Sequence, residues 1–506
     1  MRDRAAILAS ASTLRAVAAS LLAVGVFGYV QYRGSAHAVG VDGLFHIKAA
    51  NLIRENLPRP WMPPFHWLER TALRHDRFAD FHWGFHLLLL PFSWIDPEAA
   101  AKAAPVVFAS ASFMALCFLL HRLSARHRLT WFSVALLSSP IFLMRLSQNK
   151  APTVMLGLLL LIAWAAIERR DTALGLLCLA AGWVYPVVPL ILAIAGAGLV
   201  CRAFTERRLP WRGALSVFAG ISGSLLLHPD FPRNIPFIFM NLSEASMFRA
   251  GEFAPLRPRD ILGNVGLLSV VYLLSLHQIV FGPRLRRPEA AWTFFILSSL
   301  MGLLTARYVR AIDYLPPFVA LFAASALDER LGEWIGRLTG RLRPPWLALA
   351  RAAPVLLLAA AAAAQSVKAR DIVARNSASI PRRLEQAARW LAANTSEGEM
   401  VVNLSSGDFE ELWLYDTKNT YLVGINVSFL RAESPGLFDV YARFYQSGDI
   451  QALRKLLQET APARYLVASD RLPLPLLDAI ASSPLFDTAY HDRSCIIAEA
   501  SDFPLR

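Results

Sequence analysis

Leu174-Gly-Leu-Leu-Cys-Leu-Ala-Ala-Gly-Trp183-Val-Tyr185-Pro186-Val-Val-Pro-Leu-Ile-Leu-Ala-Ile-Ala-Gly-Ala-Gly-Leu-Val200 is an apolar run without a single charge. A hydrocarbon core about 30 Å thick takes roughly 20 such residues as a helix, so the run reads as membrane-embedded. The Tyr185-Pro186 step interrupts it, because proline lacks a helical donor and clashes with the preceding turn. The flanking arginines decide what the interruption does. Arg169 and Arg170 precede the run, and Arg202, Arg207, Arg208 and Arg212 follow it. Lysine and arginine collect in cytoplasmic loops, and one straight crossing would put four of these arginines outside. The run is therefore expected to enter, turn at Trp183-Val-Tyr-Pro186 and return.

Working outward, residues 14–30, 100–120, 129–146, 153–167, 212–227, 261–281, 291–306, 312–327 and 346–364 are the other expected crossings. Further arginines mark the same side: Arg122, Arg126 and Arg128; Arg284, Arg286 and Arg287; Arg330, Arg337, Arg341 and Arg343. The reading is a polytopic α-helical membrane protein with about 10–11 transmembrane helices. Its N-terminus is cytoplasmic, and a first long loop (about residues 31–99) and the C-terminal tail lie on the outer face. Residues 14–30 follow the short basic leader Met1-Arg-Asp-Arg and read as an uncleaved first helix. Residues 84–95 are apolar but too short to span, and are expected at the interface or packed inside the fold.

Composition agrees. The chain of 506 residues is 55% hydrophobic and 18% charged, with a mean hydropathy of +0.40, which excludes an ordinary soluble enzyme. The net charge of +13 belongs to the loops, since no basic tract interleaved with aromatics offers a nucleic-acid site. Cys117, Cys178 and Cys201 lie in apolar stretches, which leaves Cys495 alone in the tail without an intradomain partner. The expected division is a transmembrane domain over residues 1–365 and a small soluble α/β domain over residues 366–506. In the tail, helical patterns at 383–393, 408–415, 449–459 and 475–482 alternate with β-prone runs at 400–404, 420–423, 465–468 and 495–498. No glycine-rich phosphate loop accompanies them.

Three elements can carry chemistry. In the first loop, Asp42-Gly-Leu-Phe-His46-Ile-Lys48 opens a helical pattern that runs to Arg54, so Asp42 and His46 share a helix face. A carboxylate beside an imidazole can serve as a general base or help hold a divalent metal; the same spacing also suits a simple helix cap with an interfacial histidine. Second, Asp80-Phe-His82-Trp-Gly-Phe-His86 places His82 and His86 at i and i+4, a metal pair only if further ligands arrive from elsewhere. Third, Arg307-Tyr-Val-Arg310 and Arg145-Leu-Ser-Gln-Asn-Lys150 are cations on the outer side, against the positive-inside trend. They suit a phosphate, or interfacial snorkelling or pairing with Asp313. The loop from His228 to Asp260, with Glu244, Arg249 and Glu252, can gate a lipid.

The first two elements resemble the first outer loop of the GT-C superfamily of polytopic glycosyltransferases, which take sugars from polyprenyl-phosphate carriers. Those proteins place an acid soon after the first transmembrane helix, as Asp42 stands here, and lead into the second helix through a segment similar to Gly84-Phe-His86-Leu-Leu-Leu-Leu-Pro91. Ala388-Arg-Trp-Leu-Ala-Ala-Asn-Thr and Phe409-Glu-Glu-Leu-Trp-Leu-Tyr resemble the soluble tail of bacterial members. The resemblance implies a sugar transferase of the bacterial inner membrane with a periplasmic tail, a polyprenyl-phosphate-linked donor, membrane lipids as surroundings, and no nucleic acid. It implies Asp42 as base or metal ligand, with Asp80 as a second candidate for either role and a divalent metal ion as a possible cofactor. The first loop lacks an adjacent Asp-Glu pair and the tail lacks a WWD-type motif, so protein O-mannosylation and N-glycan transfer fit poorly. The competing readings are a transporter or flippase of lipid-linked or anionic substrates, a metal-dependent hydrolase built on His46, His82 and His86, and a non-catalytic envelope-assembly protein. A transporter should show internal repeats and midplane charges, and the sequence shows neither.

Overall fold

The structure, a computed structural model, describes residues 2–40, 42–247, 254–282, 285–339, 344–376 and 382–500, with side chains for all of these except 2–15, 242–247, 338, 344–356, 376 and 459–460. The chain divides into two compact units: Met1–Ser35, Lys102–His228 and Arg249–Ser377 form one, and Ala36–Ala101, Pro229–Phe248 and Ala378–Arg506 the other.

The first unit is helical and apolar. Ala16–Gly34, Pro97–Arg122, Val188–Glu206, Pro258–Phe281 and Pro288–Arg307 are each long and apolar enough to cross a membrane. Ala151–Ile167, Asp171–Val184 and Leu315–Ala326 are shorter apolar helices at other expected crossings. Residues 129–146, expected as one span, form two helices, Arg128–Leu137 and Pro140–Leu146, bent by 83°. Ser139 caps the second, its hydroxyl accepting the Phe142 N–H at 3.2 Å, with Pro140 in the first turn. Asn264 Oδ1 accepts the hydroxyl of Ser139 at 2.9 Å and the amide of Ile141 at 3.1 Å, so the break leaves these donors satisfied.

The Trp183-Val-Tyr-Pro186 step is a reversal. Asp171–Val184 packs on Trp211–Leu226 through glycines: Gly175 meets Ser216, Gly220 meets Cys178, and Gly182 meets Ser224. A Cβ on Gly220 would strike the Gly175 carbonyl, so only a bare backbone allows this approach. Both numbers rise together, so these two helices are parallel, and Val188–Glu206 between them must run back. Its far end confirms this, since Arg202 pairs with Asp171 at 2.9 Å. The arginine-rich loops then share one end of the unit. Glu168 holds Arg122 and Arg287 at 3.0 and 3.1 Å, Glu206 holds Arg169 at 2.7 Å, and Arg286 lies 3.9 Å from Glu329. Asp328 accepts the Arg126 and His127 amides and the Trp131 indole N–H. Arg284, Arg341 and Arg343 lie outside the described residues.

The second unit is α/β. Strands β1 (Met400–Asn403), β2 (Thr420–Tyr421), β3 (Tyr465–Ser469), β4 (Phe486–His491) and β5 (Cys495–Ala500) form one sheet in the order β2-β1-β3-β5-β4. β1 is parallel to β2 and β3, and β5 is antiparallel to β3 and β4. Alternate residues face opposite ways. Val402, Leu466 and Ala498 face a core with Leu437, Tyr441, Phe444 and Leu453, from helices Pro435–Ser447 and Ile450–Lys455. Val401, Tyr421, Val467 and Ile497 face a second core, made with Phe45, Phe65, Trp67, Leu73 and Phe78 of the first loop. That loop is thus a layer of the α/β fold. Trp67 ties it down, donating its indole N–H to the Thr417 carbonyl and accepting the Tyr421 amide, both at 2.8 Å. Residues 228–260, read as a loop, contain the helix Asn234–Met247, whose Phe237 joins the same core. The Glu244 side chain and all of Arg249 and Glu252 lie outside the described residues.

If Val188–Glu206 returns, single cysteines replacing Arg169, Arg207 and Arg286 in a cysteine-free background react with an impermeant maleimide from one side of a membrane vesicle, and Leu227→Cys from the other. Labelling of Arg207→Cys from the side opposite Arg169→Cys, with Leu227→Cys labelled from the Arg169→Cys side, would contradict the reversal.

Candidate functional site

The site in the second unit begins at the helix Asp42–Glu55. Phe45, Ala49 and Ile53 recur every four residues and enter the core. Asp42 and His46 form the neighbouring stripe, with Asp42 in the first turn, where a carboxylate complements the helix dipole. The helix Trp83–Leu89 packs alongside and buries His86. It is the short apolar piece that was too short to span, and it lies inside this unit.

His46 Nδ1 and His86 Nε2 are 2.8 Å apart, and His86 Nδ1 is 2.7 Å from Asp80 Oδ2. All three side chains are buried. Asp80 Oδ1 accepts the His82 amide at 3.1 Å, and the Asp80 amide donates to Asp230 Oδ2 at 2.9 Å. These contacts fix the proton positions when both rings are neutral. Asp80 accepts the hydrogen bond from His86 Nδ1–H, so His86 Nε2 accepts from His46 Nδ1–H, and the lone pair of His46 is on Nε2. The rings of His82 and Phe85 stand edge-on to His46, each 5.0 Å away.

The tail closes the site with the helix Phe409–Tyr415, which lies on Asp42–Glu55. Phe45 stacks on Trp413 at 5.2 Å, and the Lys48 ammonium donates to the Leu414 carbonyl at 3.3 Å. Burial holds Lys48 below the usual lysine range, against the opposing pull of Glu55 and Asp416. Glu410 is 2% exposed, and its Oε2 has no hydrogen-bond partner among the described residues. Burial first, then the charge of Asp42, pushes its carboxyl up to about 8. Glu411 beside it is also raised by burial, but Arg383 at 3.2 Å and Arg471 at 2.6 Å bind it. Arg383 also holds Asp408 at 2.6 Å, and this buried ion network anchors the helix.

No three His, Cys, Asp or Glu side chains among the described residues gather so as to hold a metal ion. His46 and His86 are spent on each other, and Asp80 on His86 and the His82 amide.

The first unit joins the two cation groups that the sequence shows separately. Arg145 grips Asp313 through Nε and Nη2 at 2.5 and 3.0 Å, both side chains buried. Arg310, on the same turn as Asp313, donates to the Tyr185 hydroxyl at 2.7 Å. Lys150 precedes the helix Ala151–Ile167, and exposed Arg307 lies 5.7 Å from the Tyr308 ring. The pairing with Asp313 thus falls to Arg145.

The described residues thus combine a bundle of apolar helices with a C-terminal mixed sheet. The structure matches ArnT from Cupriavidus metallidurans bound to undecaprenyl phosphate with a TM-score of 0.59 at 14% identity, over 96% of this chain and 97% of that one. It matches apo ArnT with a TM-score of 0.55 at 14% identity, over 97% and 98% of the two chains. Archaeoglobus fulgidus oligosaccharyltransferase AglB, in complex with an inhibitory peptide and a dolichol-phosphate, gives 0.56 at 12% identity over 90% of this chain and 69% of that one. No family model and no curated protein matches the sequence. At these identities the likeness is one of fold.

Glu410 gives a pH signature. Between the ordinary carboxyl range and pH 8 the folded protein keeps a proton that the unfolded chain has lost. Stability therefore falls as pH rises through that window, by about 1.4 kcal/mol per pH unit at most. Glu410→Gln should unfold at the wild-type temperature at pH 4.5 and at a higher one than wild type at pH 8.5. Equal curves at both pH values would show that Glu410 is compensated.

Proposed function

We propose that this protein is a membrane glycosyltransferase that moves a sugar from a polyprenyl-phosphate-linked donor to an acceptor, with Asp42 as the base. One observation carries the reading: the buried chain Asp80–His86–His46 ends one helical turn from Asp42, on the first loop of a GT-C-type fold. Undecaprenyl phosphate in ArnT and dolichol-phosphate in AglB are the class of carrier we assign.

In the reaction, the bond between the sugar C1 and the phosphate oxygen breaks, and its electron pair goes to the phosphate. The acceptor oxygen bonds to C1 and gives its proton to the Asp42 carboxylate. His46, oriented by His86 and Asp80, offers Nε2 on the same helix face to carry that proton onward. The departing phosphate needs positive charge, usually a large electrostatic contribution. Arg307, Arg310 and Lys150 of the helical unit are cations of the kind that bind a phosphate, with Arg145 steadying the Val309–Asp313 turn through Asp313. The reaction needs no metal ion in this scheme. Loop charge places the arginine-rich end and the N-terminus in the cytoplasm and the tail outside, in the inner membrane of a bacterium.

The test is transfer from defined polyprenyl-phosphate sugars by the protein in liposomes. Asp42→Asn should lose 10²–10⁴-fold in rate, the usual span of general base catalysis, with unchanged thermal unfolding. Asp80→Asn, which removes the orienting charge, should lose about tenfold. Transfer that survives Asp42→Asn overturns the assignment of the base. Movement of an intact labelled lipid-linked sugar across the bilayer without any transfer would favour a flippase.

A further inference from the structure

Glu410 is the buried carboxyl that the fold does not use. Its neighbours Asp408 and Glu411 are bound by Arg383 and Arg471 and anchor the helix Phe409–Tyr415. Glu410 is as buried as they are, yet its Oε2 meets no donor among the described residues. A buried acceptor without a donor is rare in a folded protein and marks a place where a polar group is missing.

Its position tells what it faces. Phe45 meets Trp413 and Lys48 meets Leu414, so the helices Asp42–Glu55 and Phe409–Tyr415 run side by side in the same direction. Followed back one turn, that register brings Glu410 opposite Asp42. The charged groups acting on Glu410 are Asp42 foremost, then Arg471 and Glu411, and Glu411 is held by two arginines. Two carboxyls therefore share one site, one from each end of the chain. A second negative charge nearby is disfavoured, so Glu410 keeps its proton. A protonated carboxyl can donate to a lone pair, and the charged one can accept the proton that the same ligand atom carries.

Resting on the glycosyltransferase reading, we propose that Asp42 and Glu410 together form the subsite for the acceptor's nucleophilic hydroxyl, with Glu410 supplied by the C-terminal segment. Glu410 donates to the lone pair of the nucleophile and turns its O–H bond toward Asp42. An oxygen without an O–H bond can satisfy Glu410 but not Asp42.

The test uses the full-length protein in nanodiscs, read by infrared difference spectroscopy. The wild type should show a carboxylic-acid carbonyl band that is lost as pH rises past about 8. Glu410→Gln should lack this band, and Asp42→Asn should move its midpoint at least one pH unit lower. Methyl glucoside serves as the hydroxyl probe. It should shift the band and bind about tenfold more weakly to Glu410→Gln, while undecaprenyl phosphate binds both forms equally. A band unmoved by Asp42→Asn, or by methyl glucoside, overturns the proposal. An intact band response with no sugar transfer overturns the glycosyltransferase reading alone. Transfer that proceeds with the same acceptor KM in Glu410→Gln overturns the pair alone.

Discussion

The stacking of Phe45 on Trp413 places the first loop and the tail in one core. Both segments contribute apolar residues to the core on this face of the sheet. Val401, Tyr421, Val467 and Ile497 point toward Phe65, Trp67 and Phe78, and each side removes the other's apolar surface from water. The helix Asp42–Glu55 takes its rotation from this contact. With Phe45, Ala49 and Ile53 committed to the core, Asp42 and His46 have one stripe left to occupy.

The polar chemistry of the site follows from that rotation. His46 is turned toward His86, whose other nitrogen is held by Asp80, so a buried carboxylate sets the tautomers of two rings in succession. Such a chain is costly to bury unless every member is paired, and the pairing extends through the backbone to Asp230. Glu410 is the contrast. It lies within the same packed layer but outside any ion pair, and it answers burial by keeping its proton.

Much of this was legible in the sequence, because apolar periodicity reports burial directly. The helix from Asp42, the reversal at Tyr185-Pro186 and the strands at Met400, Thr420, Tyr465 and Cys495 all stand where the pattern puts them. Other features escaped it. The bend at Ser139-Pro140 hides inside an apolar run, since its donors are satisfied by the distant Asn264. β4 escaped because Phe486–His491 is a mostly exposed edge strand with no strict alternation. The helices Ser428–Glu433 and Pro435–Ser447 were also missed, although Leu437, Tyr441 and Phe444 carry helical spacing. In the site, the face shared by Asp42 and His46 was readable and the meeting of His46 with His86 was not, because helical spacing is silent about partners on another element. Glu410 was visible only as one of two adjacent glutamates. Nothing local distinguishes the one that two arginines bind from the one left without them.

The dependence of the Asp42–Glu55 helix on the tail is measured most directly by amide hydrogen exchange on the full-length protein and its Trp413→Ala variant. If the shared core sets the site, removing the indole should speed exchange in Asp42–Glu55 as well as in Phe409–Tyr415, while the membrane-spanning helices keep their protection. Faster exchange confined to Phe409–Tyr415, with the Asp42–Glu55 amides unchanged, would contradict the account.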